Sequence, residues 1–223
     1  MMRIFNKRYV FLIALVACSA SMSVCGEEIM EENIPEEYMI MINSLDSLAI
    51  HDSEACIKSL NTLLAAPKVP EYEKERLRFM LGAALKNRVG HLATDFKFML
   101  KDGSTSSLRA IKGEYIILYI NDPACDDCAV LKTQMAESQV LNSMLDSGRL
   151  KLLSVCVEGK TVEWEDQILP GNWIDACDEA LRISDREIYD LPTMPVLYLL
   201  DKNQRVLLKN ASLEKIEGFL KEK

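Results

Sequence analysis

The chain has 223 residues, of which 49% are hydrophobic and 27% are charged, and its formal net charge is −8. That length suits one ordinary domain with a smaller appendage, and the apolar fraction is high enough for a buried core. The charged fraction excludes a chain that lies mostly in a membrane. The negative charge argues against nucleic acid as a partner, because phosphate binding needs clustered Lys and Arg.

The first residues have the composition of a secretion signal. Three basic residues precede the short apolar run 9–17, which is shorter than the about 20 residues of a spanning helix. The run ends in Leu15-Val16-Ala17-Cys18. This tetrapeptide resembles the lipobox of bacterial lipoproteins, in which the peptide is cut before the cysteine and the cysteine is lipidated. We therefore predict a lipoprotein-type signal peptide over residues 1–17, with Cys18 as the lipidation site.

A lipid anchor on Cys18 would hold an acidic body at a membrane, outside the cytoplasm, where disulfide chemistry is permitted. The predicted location is the cell envelope, either facing the periplasm or as an outer-membrane lipoprotein. A plain signal peptide with full release and an uncleaved anchor are the alternatives. Cys25 is a poorer lipidation site because bulky Val24 precedes it.

A tether and a small helical region follow the signal. Residues 18–35 are mostly polar and then acidic, which is typical of a tether. Apolar residues recur at helical spacing over 38–66 and 72–89, and Gly90 can end the second stretch. We predict a helical N-terminal region over residues 36–90, whose role the sequence leaves open.

From residue 92 onward, short apolar runs of β-forming residues alternate with helical patterns and turn signals. The predicted strands are 96–100, 115–120, 150–157, 196–200 and 206–208. The predicted helices are 128–145, 184–189 and 213–221. Strands that alternate with helices and end in a hairpin predict an α/β sandwich with a central mixed sheet over residues 92–223.

The segment Asn121-Asp122-Pro123-Ala124-Cys125-Asp126-Asp127-Cys128 carries the chemistry. It follows a predicted buried strand and opens a helix. A cysteine at a helix N-terminus is favoured as the thiolate, which is the attacking species in disulfide exchange. Cys128 lies one helical turn after Cys125 and can resolve a mixed disulfide. The CxxC spacing after a strand therefore predicts a redox pair, Cys125 and Cys128.

A second feature is Pro195, which directly precedes the predicted strand 196–200 and follows Met194. With the CxxC segment, it resembles the thioredoxin superfamily, in particular the extracytoplasmic, membrane-tethered thiol–disulfide proteins similar to TlpA and ResA. The resemblance covers about residues 92–223. It implies a cis proline at Pro195 that faces the CxxC pair, and a substrate-binding role for Met194 and Pro195. It also implies protein thiols and disulfides as partners, and no cofactor.

Several residues depart from the family pattern. Ala124 stands where the family has an aromatic residue, and Tyr119 lies near the place of a buried acid. Asp126 and Asp127 lie between the cysteines, where two negative charges disfavour the thiolate and so destabilise the reduced state. We therefore expect a reducing pair, with a potential nearer the ~−270 mV of thioredoxin than the ~−120 mV of a strong dithiol oxidant.

Other interpretations stay open at this point. The pair could be a structural disulfide in a non-catalytic thioredoxin-like binding lipoprotein. A zinc site needs two more ligands, and a peroxidase needs a Thr at the position of Asp122. Cys156 is predicted to lie in the core, Cys177 to be partly exposed, and Cys56 to be a buried helical residue. No metal site is predicted, and the oligomeric state is open.

Overall fold

The computed structural model describes residues 34–48, 54–185 and 188–223, without the side chains of residues 46–48. The predicted signal peptide 1–17, the predicted lipidation site Cys18 and all but the end of the tether lie outside the described residues. Within the described part of the chain, no helix is both long enough and apolar enough to cross a bilayer.

Three helices form the N-terminal region: α1 (Glu36–Leu48), α2 (Glu54–Ala65) and α3 (Glu71–Leu85). Pro70 directly precedes α3, where a missing backbone N–H costs no helical hydrogen bond. The three helices share one apolar core. Its fully buried members are Leu45, Cys56, Leu60, Leu63 and Leu77. The predicted helical region is therefore confirmed, and its first stretch contains two helices.

Seven strands form one mixed sheet: β1 (Lys97–Leu100), β2 (Thr105–Ser107), β3 (Tyr115–Asn121), β4 (Leu150–Cys156), β5 (Ile174–Cys177), β6 (Val196–Asp201) and β7 (Val206–Lys209). Their order across the sheet is β2-β1-β5-β4-β3-β6-β7. The central strands β3, β4 and β5 are parallel, and the remaining neighbours are antiparallel. The predicted sandwich around a mixed sheet is confirmed.

Four helices accompany the sheet: α4 (Asp126–Glu137), α5 (Gln139–Asp146), α6 (Val162–Asp166) and α7 (Leu213–Lys221). Side chains of β3 alternate between the two faces of the sheet, as strand geometry requires. Ile117 and Tyr119 pack in a core with residues of α4, α5 and α7, whereas Ile116 and Leu118 pack in a second core on the other face. Both faces of β3 are therefore buried, which explains its continuous apolar sequence.

Two of the predicted helices differ from the structure. The predicted helix 128–145 is interrupted at Ser138, whose hydroxyl accepts a 3.2 Å hydrogen bond from the Leu141 N–H and caps α5. The predicted helix 184–189 is wrong for its described residues, which form turns and bends. A buried Asp178 carboxylate accepts the Ile183 N–H at 2.6 Å just before it, and fixes the chain in a turn.

Lys209, at the end of β7, joins the helical region to the sheet. Its buried ammonium donates to the carbonyl oxygens of Ala83, Ala84 and Lys86, at 3.3, 3.2 and 2.7 Å. These carbonyls lie at the end of α3, where the last carbonyl oxygens of a helix need donors from outside the helical ladder, and that of Ala83 also accepts the Lys86 N–H at 3.1 Å. A buried cation at this point suits the negative end of the helix dipole. The predicted domain boundary near residue 91 stays a prediction.

Candidate active site

Cys125 lies at the junction between β3 and α4. It is the N-cap residue of α4, and its Sγ accepts a hydrogen bond from the Cys128 N–H at 3.4 Å. The sulfur therefore lies among the unpaired N–H groups of a helix N-terminus, which favour a thiolate. Its side chain is partly exposed. A disulfide of another protein can reach this sulfur.

Cys128 lies one turn further along α4 and is only 2% exposed. Burial raises the pKa of its thiol above the ordinary value, because a low-dielectric surrounding penalises the thiolate. The neighbouring Cys125 and the charge of Asp122 raise it further, while the backbone N–H of Asp122 opposes the shift. The two sulfurs thus have different environments: one is accessible, and the other is protected and stays protonated.

Asp122 is a site residue that sequence reasoning missed. The residue is 5% exposed; its carboxylate accepts the Ala124 N–H at 2.9 Å, while its carbonyl accepts the Cys125 N–H at 3.0 Å. These bonds form the turn that presents Cys125. A buried acid beside a thiol can exchange a proton with it. The Asp-Pro step directly after a buried strand was the available signal, because Asp in such a turn bonds its own backbone.

Tyr119 lies beneath the site, at the position where the resemblance implies a buried acid. Its hydroxyl donates to the carbonyl oxygen of Cys128 at 2.7 Å. Burial raises the pKa of the phenol, and the adjacent cysteines raise it further. The ring also packs edge-on against Trp173, with ring centres 6.5 Å apart. Tyr119 is therefore a neutral donor that ties β3 to α4.

Pro195 lies beside the same junction. Val196 is opposite Ile120 in the antiparallel pairing of β6 with β3, so Pro195 lies where β3 leads into the loop 122–125, here called the cysteine loop. The Met194–Pro195 peptide bond is cis. Pro195 lines a groove of about 480 Å³ together with Leu131 of α4 and the segment after β7. Met194 is half-buried and packs against the core. Whether either residue binds substrate stays a prediction.

Two other cysteines, Cys156 and Cys177, lie in the central sheet. Cys156 is fully buried, as predicted, whereas Cys177 is also fully buried and its predicted partial exposure is wrong. Trp164 of α6 packs over both sulfurs and excludes solvent from Cys177. In the described ranges, no three His, Cys, Asp or Glu side chains come together as ligands for a metal ion.

No family model and no curated protein matches the chain. Among solved structures, it is similar to a thioredoxin-like protein from Bacteroides caccae, with a TM-score of 0.72 and 26% identity. That similarity covers 83% of this chain and 76% of the other. The chain belongs to the thioredoxin superfamily.

The thioredoxin-like domain has further structural relatives. The C-terminal domain of an uncharacterized protein from Bacteroides fragilis has a TM-score of 0.58 and 36% identity, over 60% of this chain and 98% of that domain. A domain of a possible thiol-disulfide isomerase from Cytophaga hutchinsonii shares the fold, with a TM-score of 0.52 and 22% identity over 62% of this chain and 94% of that domain. The Bacteroides caccae structure covers more of the chain than residues 92–223, so its similarity includes part of the helical region.

Proposed function

We propose that this chain is a thiol–disulfide oxidoreductase of the cell envelope, similar to the TlpA and ResA branch, that reduces disulfides in protein partners. The observation that supports this most directly is the partly exposed Cys125 sulfur at the start of α4, with Cys128 buried one turn further on. The two thiols carry both electrons themselves, so the proposed reaction uses no cofactor.

The proposed reaction has two exchange steps. The Cys125 thiolate attacks one sulfur of a partner disulfide, which breaks the partner S–S bond and releases one partner thiolate. Cys128 then loses its proton and attacks Cys125, which releases the second partner thiol and leaves a Cys125–Cys128 disulfide. The partner gains two electrons and two protons, and a dithiol donor in the envelope restores the pair.

Asp122 would accept the proton of Cys128 in the second step. Its charge acts on the Cys128 thiol, and the Asp122 backbone N–H favours the thiolate that forms. The nearby acids Asp126 and Asp127 are exposed at the first turn of α4 and are more easily screened by solvent. The buried carboxylate is therefore the better-placed base.

The groove beside Pro195 would hold the partner segment that carries the disulfide. Leu131, Gln134 and Leu213 line it, so an extended segment would meet both apolar and amide surface. Met194 and Pro195 are the proposed substrate-binding residues because they precede β6 at the same junction as the cysteines.

A trapping experiment tests the proposed function. In Cys128→Ser, the mixed disulfide with Cys125 cannot be resolved, so the variant should accumulate covalent adducts with reduction-sensitive envelope proteins. Cys56→Ser is the matched control, because Cys56 is buried in the helical core and should trap nothing. The wild-type chain should also reduce insulin. If Cys128→Ser forms no adducts and the wild-type chain does not reduce insulin, the results would instead support a non-catalytic binding lipoprotein.

The direction of electron flow has its own test. The acidic first turn of α4 and the raised pKa of Cys128 both disfavour thiolates and so favour a reducing pair. Equilibration of the Cys125–Cys128 pair with glutathione measures its potential. A value above ~−180 mV would contradict a reducing role.

The anchor is part of the same proposal. Cys18 would be the lipidated residue, so labelled fatty acid should be incorporated into the wild-type chain and into Cys25→Ala. Cys18→Ala should lose the label and leave the membrane fraction. Labelling that persists in Cys18→Ala would show that the lipobox interpretation is wrong.

A further inference from the structure

A second pair of cysteines lies in the sheet beside the site. Cys156 of β4 is directly opposite Cys177 of the parallel strand β5. Neighbouring strands are about 4.7–4.9 Å apart, and disulfides join Cα atoms about 4.4–6.8 Å apart, so the backbone spacing suits a disulfide. Directly opposite residues project to the same face of a sheet. Both are free thiols in the structure.

A small lid covers this pair. Both sulfurs are fully buried and pack with Trp164 and Met99. The indole N–H of Trp164 donates to the Asp175 carboxylate at 2.8 Å, and the Lys101 ammonium lies 4.4 Å from the ring centre. Trp164 belongs to the five-residue helix α6. The pair is therefore closed to a protein partner, and a shift of one short helix would open it to a small molecule.

The second pair lies at the same edge of the sheet as the proposed exchange site, which is the Cys125–Cys128 pair. Asn121 at the end of β3 is opposite Cys156, and the next residue, Asp122, belongs to the cysteine loop. Burial raises the pKa of Cys156 to about 12, and the charge of Asp122 contributes to the shift. Burial and nearby acids raise the pKa of Cys177 to about 11. Thiols with such raised pKa values react slowly, and they are poor leaving groups once they form a disulfide.

We propose that Cys156 and Cys177 form a second dithiol–disulfide couple, which is oxidised by a small-molecule disulfide independently of Cys125 and Cys128. This goes beyond the proposed function, since it needs no protein substrate. Formation of the bond would tie β4 to β5 beneath α6, next to the strand that leads into the exchange site.

The oxidation is an ordinary double exchange. One of the two thiols, as its thiolate, attacks a disulfide of the glutathione class, forms a mixed disulfide and releases one reagent thiol. The other thiolate then attacks the protein sulfur of that mixed disulfide, forms the Cys156–Cys177 bond and releases the second reagent thiol. Two electrons and two protons pass from the protein pair to the reagent, and a dithiol reductant reverses both steps.

Peptide mapping tests this directly. The reduced full chain is held at graded ratios of reduced to oxidised glutathione, quenched with acid, alkylated in denaturant and digested with trypsin. The chain's basic residues place Cys156 in peptide 152–160 and Cys177 in peptide 161–182, each with a single cysteine. Cys125 and Cys128 share the tryptic peptide 113–132, so their bond is distinguished as an internal loop.

The expected result is a cross-linked 152–160/161–182 product in the wild-type chain and in the Cys125→Ser/Cys128→Ser variant, removed by dithiothreitol. We expect its formation to be at least about tenfold slower than that of the Cys125–Cys128 loop, because both thiols are buried. Cys177→Val should lose the product and keep its insulin reduction. Full alkylation of Cys156 and Cys177 at every ratio, or a glutathione adduct without the cross-link, would overturn the proposal.

A fluorescence signal gives a second measurement. The chain has two tryptophans, so Trp173→Phe leaves Trp164 as the only one. A disulfide that forms in contact with Trp164 should quench its emission with the same time course as the cross-link. Quenching that follows the Cys125–Cys128 loop instead would also overturn the proposal.

Discussion

The hydroxyl of Tyr119 donates a 2.7 Å hydrogen bond to the carbonyl oxygen of Cys128. This bond joins the central strand β3 to the first turn of α4, directly below the candidate redox pair. Because burial raises the pKa of the phenol, the hydroxyl keeps its proton and acts as a fixed donor. The site therefore has a neutral group where the superfamily resemblance implies an acid, and its buried acid, Asp122, lies in the cysteine loop instead.

Tyr119→Phe isolates the contribution of that hydrogen bond to stability. The ring and its edge-on contact with Trp173 would remain, so the loss should be that of one buried bond, about 1 kcal/mol. Urea unfolding followed by circular dichroism measures it. Tyr72→Phe is the matched control, because Tyr72 is 68% exposed. Equal unfolding free energies for the two variants would contradict a structural role for the Tyr119 hydroxyl.

The different environments of the two cysteines predict different reactivity. In the reduced chain, iodoacetamide should modify Cys125 at least about tenfold faster than Cys128, because only Cys125 is accessible at the helix N-terminus. Mass spectrometry after partial modification gives the ratio. Modification of both sulfurs at similar rates would contradict the assignment of Cys125 as the attacking residue.

The pH dependence of Cys128 follows from the sign of its pKa shift. A raised pKa means that the thiol stays protonated to higher pH than a free cysteine. In Cys125→Ser, the rate of Cys128 alkylation should therefore keep rising through the ordinary value of about 8.5, with no plateau there. The same variant in denaturant should show that plateau. A plateau near the ordinary value in the folded variant would show that burial does not control this thiol.

Asp122→Asn distinguishes a base from a mere negative charge. The amide oxygen can still accept the Ala124 N–H, so the turn should persist. If the charge only opposes the Cys128 thiolate, the variant should resolve mixed disulfides faster. If Asp122 accepts the proton, insulin reduction should slow by about 10²-fold and the pH profile should shift upward, which is the outcome we expect. Asp126→Asn, at an exposed position in the first turn of α4, should have a much smaller effect.

The sequence predicted best those strands that are buried on both faces of the sheet. The strands β3, β4 and β6 are apolar on both faces, so their runs of β-forming residues were visible without tertiary information. β2 has the sequence TSS and is only three residues long, so its pairing with β1 defines it as a strand. β5 includes the acid Asp175, whose carboxylate is paired with Trp164 and Gln167, and this pairing has no local sequence signal.

The burial of Cys177 and of Asp122 was not predicted, because it depends on contacts that the local sequence does not indicate. Cys177 is buried because Trp164, thirteen positions earlier in the chain, folds over it, and no spacing rule connects the two. Asp122 resembles a solvated loop acid in the sequence, and its burial near both Cys128 and Cys156 has no local sequence signal. By contrast, the CxxC pair could be placed correctly at the start of a helix, because a strand followed by a turn and a helical pattern is a local signal.

Lys209→Met tests whether the helical region depends on the sheet for its stability. The methionine would keep much of the apolar stem but leave the carbonyls of Ala83, Ala84 and Lys86 without the ammonium donor. Removal of a buried charged donor should reduce the free energy of unfolding by about 2 kcal/mol. Urea unfolding measures the change, and Lys215→Met, at an exposed position of α7, is the control. Because the lost contacts lie at the end of α3, limited proteolysis should cut Lys209→Met first within residues 71–90. Unchanged stability with unchanged cleavage would mean that α3 holds its position through its own apolar core.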